Sequence, residues 1–239
     1  MAGKVEQELR ERVAMAHRVL YTLGLSDYLG HASARVPGTD RVVIKPKFSP
    51  RVRALGSLTG DRMILIDLDG RQLEGDDKPP AEVFIHTEIY RARPEVLGVV
   101  HTHQLLGIAF GVARRPILPV LHVESELMRE EMPIFPSGEL IVTPEQGKQV
   151  AQALGSHRAG HLRYHGIVTA AASVEDAALY AIWVERVARA NLLVMQLGNL
   201  EAMPPEQMDH VARFKGPPDA RWAYYQEIAE RADGKVYPI

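Results

Sequence analysis

The sequence predicts an α/β fold built on a mixed or antiparallel sheet. Segments with helical periodicity alternate with short apolar segments along the chain, which is the general pattern of α/β proteins. Two predicted strand pairs are joined by very short turns, at Asp69-Gly70 and at Gly166, and turns of this length connect antiparallel strands. The nucleotide-binding patterns GxGxxG and GxxxxGKS/T do not occur in the sequence, so it does not favour a nucleotide-binding fold.

The chain begins with a predicted helix followed by strands. Apolar residues recur at three- and four-residue steps from Val5 to Leu23, which predicts a long helix with one buried face. RVVIKP and RMILIDLDGRQLEG are predicted strands, the second folded back at Asp69-Gly70. The loop between them, KFSPRVRALGSLTGD, carries three basic residues and is a candidate anion contact.

Prolines set the boundaries in the middle of the chain. Pro79-Pro80 stand before a predicted helix of about three turns, since proline is tolerated at a helix start, and Pro94 ends it. The apolar run VLGVVHTH then predicts a buried strand, and QLLGIAFGVA predicts the next helix.

The C-terminal half is predicted to continue the alternation. PILPVLHVE and ELIVT are predicted strands, and GHLRYHGIVTAAAS is predicted to form two more. Thr143 is a predicted helix N-cap, because its side chain can accept a hydrogen bond from the first turn. A long helix is predicted from Ser173, with Glu175 and Asp176 in its first turn. Residues 200–239 carry prolines and aromatic side chains and are predicted to form an extension that wraps over another surface.

Composition limits the kinds of function. A chain of 239 residues, 46% hydrophobic, can bury a substantial core, and we expect one domain over residues 1–239. The formal charge of -2 provides no basic field for nucleic acid or an anionic membrane, so the expected partners are a small-molecule substrate and further copies of the chain. No apolar stretch approaches the roughly 20 residues of a membrane span, and we expect a cytoplasmic protein.

A His-x-His pair is the first candidate for chemistry. Because His101 and His103 lie two apart at the end of a predicted strand, their side chains point to one side, with Cα atoms about 6 to 7 Å apart. This spacing suits one divalent metal, and the absence of cysteine means that any metal is held by imidazole and carboxylate. His165 ends another predicted strand before Gly166 and is the best third ligand. Three imidazoles leave a position open for substrate.

Glu82 is the second candidate. It opens a predicted helix directly after two prolines, so its carboxylate begins near the positive end of the helix dipole. It can serve as a fourth ligand or as a proton carrier, and the alternative is a first-turn glutamate that only stabilises its helix.

These residues occur in an order that resembles the class II aldolase/adducin family. The resemblance rests on GHASARVPG, MILIDLDGRQLEG, KPPAEVFIHTEIYRARPEVLGVVHTH and YHGIVTAAASVEDAALYAIWVE, and it covers roughly residues 8–195. It implies a three-layer α/β/α sandwich around a mostly antiparallel sheet. It also implies that His101, His103 and His165 bind a divalent metal and that Glu82 is the acid/base.

The resemblance further implies a cofactor and an assembly. The expected cofactor is one divalent metal per subunit, Zn²⁺ or Mn²⁺, with Fe²⁺ or Co²⁺ as alternatives. The expected assembly is a C4 homotetramer with the metal site at a subunit interface. The extension over 200–239 is then expected to pack at that interface, where Tyr225 could reach a neighbour's site.

The sequence departs from the sugar-phosphate aldolases of the family where those enzymes bind phosphate. Their asparagine turn, threonine-glycine loop and serine pair correspond to Gly30-His31, Pro46-Lys47-Phe48-Ser49 and Pro80-Ala81, so a phosphorylated ketose is not expected. The pattern GHxSxRxPG is more similar to the branch that includes metal-dependent decarboxylases of hydroxylated aromatic or pyridine carboxylates.

Substrate contacts are expected from residues around the predicted metal site. His31 and Arg35 are expected to supply positive charge or hydrogen bonds for a substrate carboxylate, and for Arg35 the alternative is a surface ion pair. His86, one turn after Glu82, is expected to pack rather than to bind the metal. The remaining candidates for substrate binding are Ser49, His122 and Tyr225.

The predicted function is therefore a metal-dependent carbon–carbon lyase. A divalent metal bound to a hydroxyl and a neighbouring carbonyl or carboxylate oxygen stabilises the enolate-like charge that remains when the adjacent bond breaks. Decarboxylation of a hydroxylated aromatic or heteroaromatic acid is favoured, and aldol cleavage of a small hydroxy-carbonyl compound is the alternative. An iron(II) oxygenase and a non-catalytic adducin-like interaction domain are the less favoured alternatives.

Overall fold

One eight-stranded sheet forms the centre of the protein. The computed structural model describes residues 2–52, 55–213 and 218–239. The strand order is β4-β3-β2-β1-β5-β8-β7-β6, and every neighbouring pair is antiparallel except β6 and β7. The strands are β1 (His31–Arg35), β2 (Arg41–Ile44), β3 (Ile64–Asp67), β4 (Gln72–Glu74), β5 (Gly98–Thr102), β6 (Ile134–Phe135), β7 (Ala159–Leu162) and β8 (Gly166–Ala171).

Helices cover both faces of this sheet. The helices in the described residues are α1 (Ala2–Thr22), α2 (Val83–Ala92), α3 (Leu105–Ala113), α4 (Pro144–Leu154), α5 (Val174–Leu197), α6 (Pro205–Arg213) and α7 (Pro218–Arg231). The buried apolar residues of α2 and α4 form one core against the sheet, and those of α1 and α5 form a second core on the other face. The expected three-layer α/β/α architecture with a mostly antiparallel sheet is confirmed.

Several element boundaries agree with local signals in the sequence. The hairpin between β3 and β4 turns at Gly70, whose φ of 78° lies in the left-handed region that glycine adopts without strain. Thr143 caps α4 in a reciprocal arrangement with Gln146, and Ser173 accepts a hydrogen bond from the amide of Asp176 at the start of α5.

Two predicted strands are wrong. PILPVLHVE forms no strand, and its end passes into a short 3-10 helix, Glu124–Met128. ELIVT forms no strand either, because side chains take its amides: Ile141 donates to Glu82 and Val142 donates to Gln146. The edge strand β6 lies instead in the stretch between these two segments.

The C-terminal extension packs on its own chain. Its helix α7 lies against α1 and α5, and the amides of Tyr237 and Ile239 donate to the carbonyls of Thr22 and Leu23. Residues 53 and 54 of the basic loop lie outside the described residues. Among the residues that are described, no helix is both long enough and apolar enough to cross a bilayer.

Candidate metal centre

The His-x-His pair lies at the end of a central strand. All five residues of β5 are buried, and His101 is opposite His31 of β1 and Val168 of β8. His103 follows the strand directly, and its Nε2 lies 2.9 Å from Nε2 of His101. The alternation of an extended chain therefore brings both rings to one side.

His165 reaches the same space from the turn between β7 and β8. It was expected at a strand end, but it occupies the turn itself, and Gly166 begins β8. Its ring centroid lies 4.9 Å from that of His101 and 5.0 Å from that of His103. Tyr164, with φ of 65°, holds the left-handed conformation that lets the turn present His165 inward.

Gly166 leaves room for this approach, and its replacement by alanine is expected to harm both stability and metal binding. An added Cβ would lie 2.3 Å from the carbonyl oxygen of Thr102 and 3.0 Å from Cε1 of His101. We expect Gly166→Ala to lower the free energy of unfolding by about 1–3 kcal/mol and to weaken metal binding. Thermal unfolding and metal titration measure both effects. In Gly3→Ala, where an added Cβ has no neighbour within 4 Å, neither should fall.

Glu82 completes the cluster from a second direction. It is the N-cap residue of α2 and is 7% exposed. Its Oε1 accepts a hydrogen bond from the amide of Ile141 at 3.0 Å and lies 3.5 Å from Nε2 of His165. Its Oε2 lies 4.0 Å from Nε2 of His101. Oε1 is thus held by Ile141 and faces His165, while Oε2 faces His101.

The donor atoms of these residues converge. One ligand atom each from Glu82, His101, His103 and His165 lies within 4.8 Å of the others. Nδ1 of His101 donates to the carbonyl of Ile167 at 2.8 Å, so Nε2 of this ring points its lone pair into the cluster.

The electrostatics of the cluster fit a cation. Burial, then the neighbouring His103 and His165, hold the pKa of His101 well below its ordinary value, and burial followed by His165 lowers the pKa of His103. Burial raises the pKa of Glu82, but its interactions with His165 and the amide of Ile141 outweigh this, and the net shift is downward. Neutral imidazoles and an ionised carboxylate are the forms that bind metal.

The ring nitrogens of His165 also support a metal site. Among the described residues, neither ring nitrogen of His165 has a hydrogen-bond partner, although both are buried. A buried polar atom without a partner is costly, and a metal ion would satisfy Nε2. Three nitrogen donors and one oxygen donor without sulfur suit Zn²⁺, Mn²⁺, Fe²⁺ and Co²⁺.

The structure reveals partners of His31 that the sequence did not indicate. Nε2 of His31 lies 4.0 Å from Oε2 of Glu82, and Nδ1 lies 2.6 Å from Nε2 of His86. Burial, then His86 and His101, hold the pKa of His31 well below its ordinary value. The lowered pKa favours the neutral ring, so of the two expected contributions of His31 the hydrogen bond, rather than the positive charge, is carried into the proposed site.

Lys45 is a buried cation next to this region that sequence reasoning missed. It is 2% exposed, and its Nζ donates to the carbonyl of Gly30 at 2.9 Å. Burial lowers the pKa of Lys45 to about 8. Because Gly30 precedes His31, this hydrogen bond fixes the turn from which β1 starts.

Arg35 is not brought to the cluster. It lies at the opposite end of β1 from His31, and its guanidinium donates to the carbonyls of Thr39 and Tyr90 and to the carboxylate of Asp40. These contacts fix the turn after β1. The interpretation of Arg35 as a substrate contact is therefore not carried into the proposed site.

The other three predicted substrate contacts also lie outside the cluster. The hydroxyl of Ser49 donates to Asp77 at 3.3 Å. His122 and Tyr225 border separate hollows that share Trp183 as a wall. Among the described histidine and carboxylate residues, His122 does not belong to the group of converging ligand atoms.

The chain is similar to known proteins over most of its length. The family model "Class II Aldolase and Adducin N-terminal domain" matches residues 11–192. The chain is 33% identical over 231 residues to a 3,4-dihydroxyphthalate decarboxylase of Arthrobacter keyseri, and the alignment covers 92% of each chain. It is 33% identical over 219 residues to the enzyme of the same name from Terrabacter sp. (strain DBF63), covering 87% of this chain and 90% of that one.

A solved structure shows the same fold. The L-fuculose 1-phosphate aldolase of Glaciozyma antarctica PI12 superposes with a TM-score of 0.82, covering 100% of this chain and 95% of its own. The two chains are 22% identical, so this likeness concerns the fold alone.

Proposed function

The chain belongs to the class II aldolase and adducin family, and we propose that it is a divalent-metal-dependent decarboxylase of a hydroxylated aromatic carboxylate. Its relatives support a lyase of the decarboxylase or aldolase type. The observation that carries the proposal is the convergence of Glu82, His101, His103 and His165 on one buried space. Both relatives are named 3,4-dihydroxyphthalate decarboxylase, and 3,4-dihydroxyphthalate is a dihydroxylated aromatic dicarboxylate. These names support the proposed substrate class.

The three histidines would hold the metal, and Glu82 would move the proton. When bound, a divalent metal supplies a Lewis acid that lowers the energy of negative charge on substrate oxygens. We assign the proton to Oε2 of Glu82, since Oε1 already accepts the amide of Ile141 and lies beside His165, whereas Oε2 lies 4.0 Å from Nε2 of His101 and makes no hydrogen bond among the described residues. Since its pKa is lowered, Glu82 begins as a carboxylate and accepts the proton of the substrate hydroxyl beside the carboxyl group.

Carbon–carbon bond cleavage and protonation of the ring carbon follow. The bond between the ring and the carboxyl carbon breaks, its electron pair stays on the ring carbon, and the carboxyl group leaves as carbon dioxide. Glu82 donates its proton to that ring carbon and becomes a carboxylate again. The substrate oxygen regains a proton from solvent. Glu82 therefore ends each cycle in the state in which it began.

The surroundings of the cluster favour an unphosphorylated substrate. Ser49, the hydroxyl of the stretch that corresponds to the phosphate loop, is already bonded to Asp77. Pro80, which stands where the aldolases carry serine, has no hydroxyl and is buried. Aldol cleavage of a small hydroxy-carbonyl compound remains the second candidate within the same family.

Carbon dioxide release tests the proposal directly. Protein reconstituted separately with Zn²⁺, Mn²⁺ and Fe²⁺ is expected to decarboxylate at least one member of a panel of ortho-hydroxy aromatic acids, including 3,4-dihydroxyphthalate. The metal-free protein should release none, because the Lewis acid is missing. Metal bound at one equivalent without release from any acid would contradict decarboxylation and lead to assays of aldehyde formation.

We also propose that the protein is a C4 homotetramer and that the single domain over 1–239 uses its extension, 200–239, at the subunit interface. The end of α5 supports an interface, since Leu193 is 51% exposed and Leu197 is 89% exposed. Sedimentation analysis of the purified protein measures its oligomeric state, and a monomer at micromolar concentration would contradict the proposed tetramer.

A further inference from the structure

Four buried side chains form a continuous hydrogen-bonded chain that ends at the metal cluster. Nδ1 of His31 lies 2.6 Å from Nε2 of His86, and Nδ1 of His86 lies 2.7 Å from Oγ of Ser33. The hydroxyl of Tyr90 lies 2.8 Å from that Oγ and 3.0 Å from the carbonyl oxygen of Ser33. We call these four residues the relay. His31 is 6% exposed and the other three are completely enclosed, so only His31 can meet a substrate.

The relay has two self-consistent arrangements of its protons. In the first, Tyr90 donates to Ser33, Ser33 donates to His86 and His86 donates to Nδ1 of His31, which leaves the proton of His31 on Nε2. In the second, every bond from His31 to Tyr90 is reversed, and the Tyr90 hydroxyl donates to the Ser33 carbonyl. Nε2 of His31 then carries a lone pair. Both arrangements keep the two rings neutral.

The negative charge of Glu82, beside Nε2 of His31, favours one of the two proton arrangements. Nε2 of His31 lies 4.0 Å from Oε2 of Glu82. An N–H directed toward a carboxylate is attractive, whereas a lone pair directed toward it is repulsive. The first arrangement gives up the bond from the Tyr90 hydroxyl to the Ser33 carbonyl, because the hydroxyl has one proton and donates it to Oγ. We weigh the interaction with the charged carboxylate above that neutral bond, so the first arrangement, with the proton on Nε2, is the favoured one.

We infer that His31 is a further catalytic residue, a neutral Nε2–H donor that binds the carboxylate to be lost from the substrate, and that His86, Ser33 and Tyr90 are positioning residues that fix its tautomer. This inference rests on the proposed decarboxylase function. It goes beyond the metal ligands and Glu82, because it assigns recognition of the substrate carboxylate to a group that neither binds metal nor carries charge.

A neutral donor suits this reaction. Decarboxylation moves negative charge from the carboxylate to the ring, so a cation held against the carboxylate would stabilise the starting state more than the transition state. A neutral N–H orients the group and loses little when it leaves as carbon dioxide. The guanidinium of Arg35 is engaged at the other end of β1, and the ammonium of Lys45 donates to the carbonyl of Gly30.

The tautomer of His31 is measured first, on zinc-loaded protein without substrate. Long-range ¹H–¹⁵N correlation spectra of histidine-labelled protein distinguish a protonated from an unprotonated ring nitrogen, and His31→Gln assigns the signals. We expect the proton of His31 on Nε2 and none on Nδ1. A proton on Nδ1 would overturn the inference, and this result needs no activity.

The role in carboxylate recognition is measured by binding to the same zinc-loaded protein. The probes are 2,3-dihydroxybenzoate and catechol, which differ only by the carboxyl group. Ser33→Ala breaks the relay, so we expect about 10-fold weaker binding of 2,3-dihydroxybenzoate with catechol unchanged. Thr87→Val alters a buried hydroxyl outside the relay, on the helix that carries His86 and Tyr90, and should bind both probes as the unmodified protein does. An equal loss for both probes would overturn the carboxylate role.

Failure of this inference can be distinguished from failure of the proposed function. Carbon dioxide release with an unchanged probe ratio in Ser33→Ala would remove His31 from carboxylate recognition and leave the decarboxylase. An Nε2 proton on His31, a changed probe ratio and no release from any acid would support the relay and remove the decarboxylation step.

Discussion

Replacing His103 by alanine is expected to remove metal and lyase activity together. Nε2 of His103 lies 2.9 Å from Nε2 of His101, so the variant loses one of the three imidazoles at the centre of the cluster. Turnover should fall by about 10³-fold or more, since Lewis-acid stabilisation of transition-state charge is worth several kcal/mol. The measurements are metal content after dialysis and carbon dioxide release at saturating substrate.

A histidine outside the cluster gives the matched control. His157 makes a hydrogen bond to the carbonyl of Leu154 and lies 3.6 Å from Glu130, away from the converging ligand atoms. His157→Ala should retain one equivalent of metal and near-normal turnover. If His103→Ala also retained its metal, His103 would not be a ligand. The metal would then have to be bound by Glu82, His101 and His165.

The sequence predicted the fold where its signals are local. The hairpin at Gly70 and the cap at Thr143 depend on conformations and hydrogen bonds within a few residues, so they can be recognised without a structure. The predicted strand over ELIVT was wrong, although its alternation is compatible with a strand. Its amides donate to the side chains of Glu82 and Gln146, and no local sequence pattern indicates these hydrogen bonds. Strand β1 carried no strong signal, since HASAR is made mostly of small side chains.

The same distinction applies to the site. The His-x-His spacing and the resemblance pointed to the four residues whose ligand atoms converge. His86, expected only to pack, bonds to His31 and Ser33, which lie more than 50 positions away in the chain. This pairing depends on α2 crossing β1, so it could not be predicted from spacing. The four-residue separation of Glu82 and His86 was the only signal that placed His86 near the site.

Replacing Glu82 by glutamine is expected to retain the metal and to lose most of the turnover. The amide oxygen of glutamine can still accept the hydrogen bond from Ile141, so the side chain keeps its place at the start of α2. It cannot carry a proton between the substrate hydroxyl and the ring carbon. Loss of a general acid/base costs about 10²–10⁴-fold in rate, and we expect kcat to fall in that range.

Glu88 on the same helix separates this role from a general effect of charge. Glu88 is buried, with its Oε1 3.3 Å from Nε of Arg91, and Glu88→Gln removes one negative charge from α2 without touching the cluster. Its kcat should stay within a few-fold of the unmodified protein, even if unfolding begins at a lower temperature. Near-normal turnover in Glu82→Gln with metal still bound would remove Glu82 from proton transfer. Solvent or another group would then have to protonate the ring carbon, and His31, 4.0 Å from the same carboxylate, would be the first group to examine.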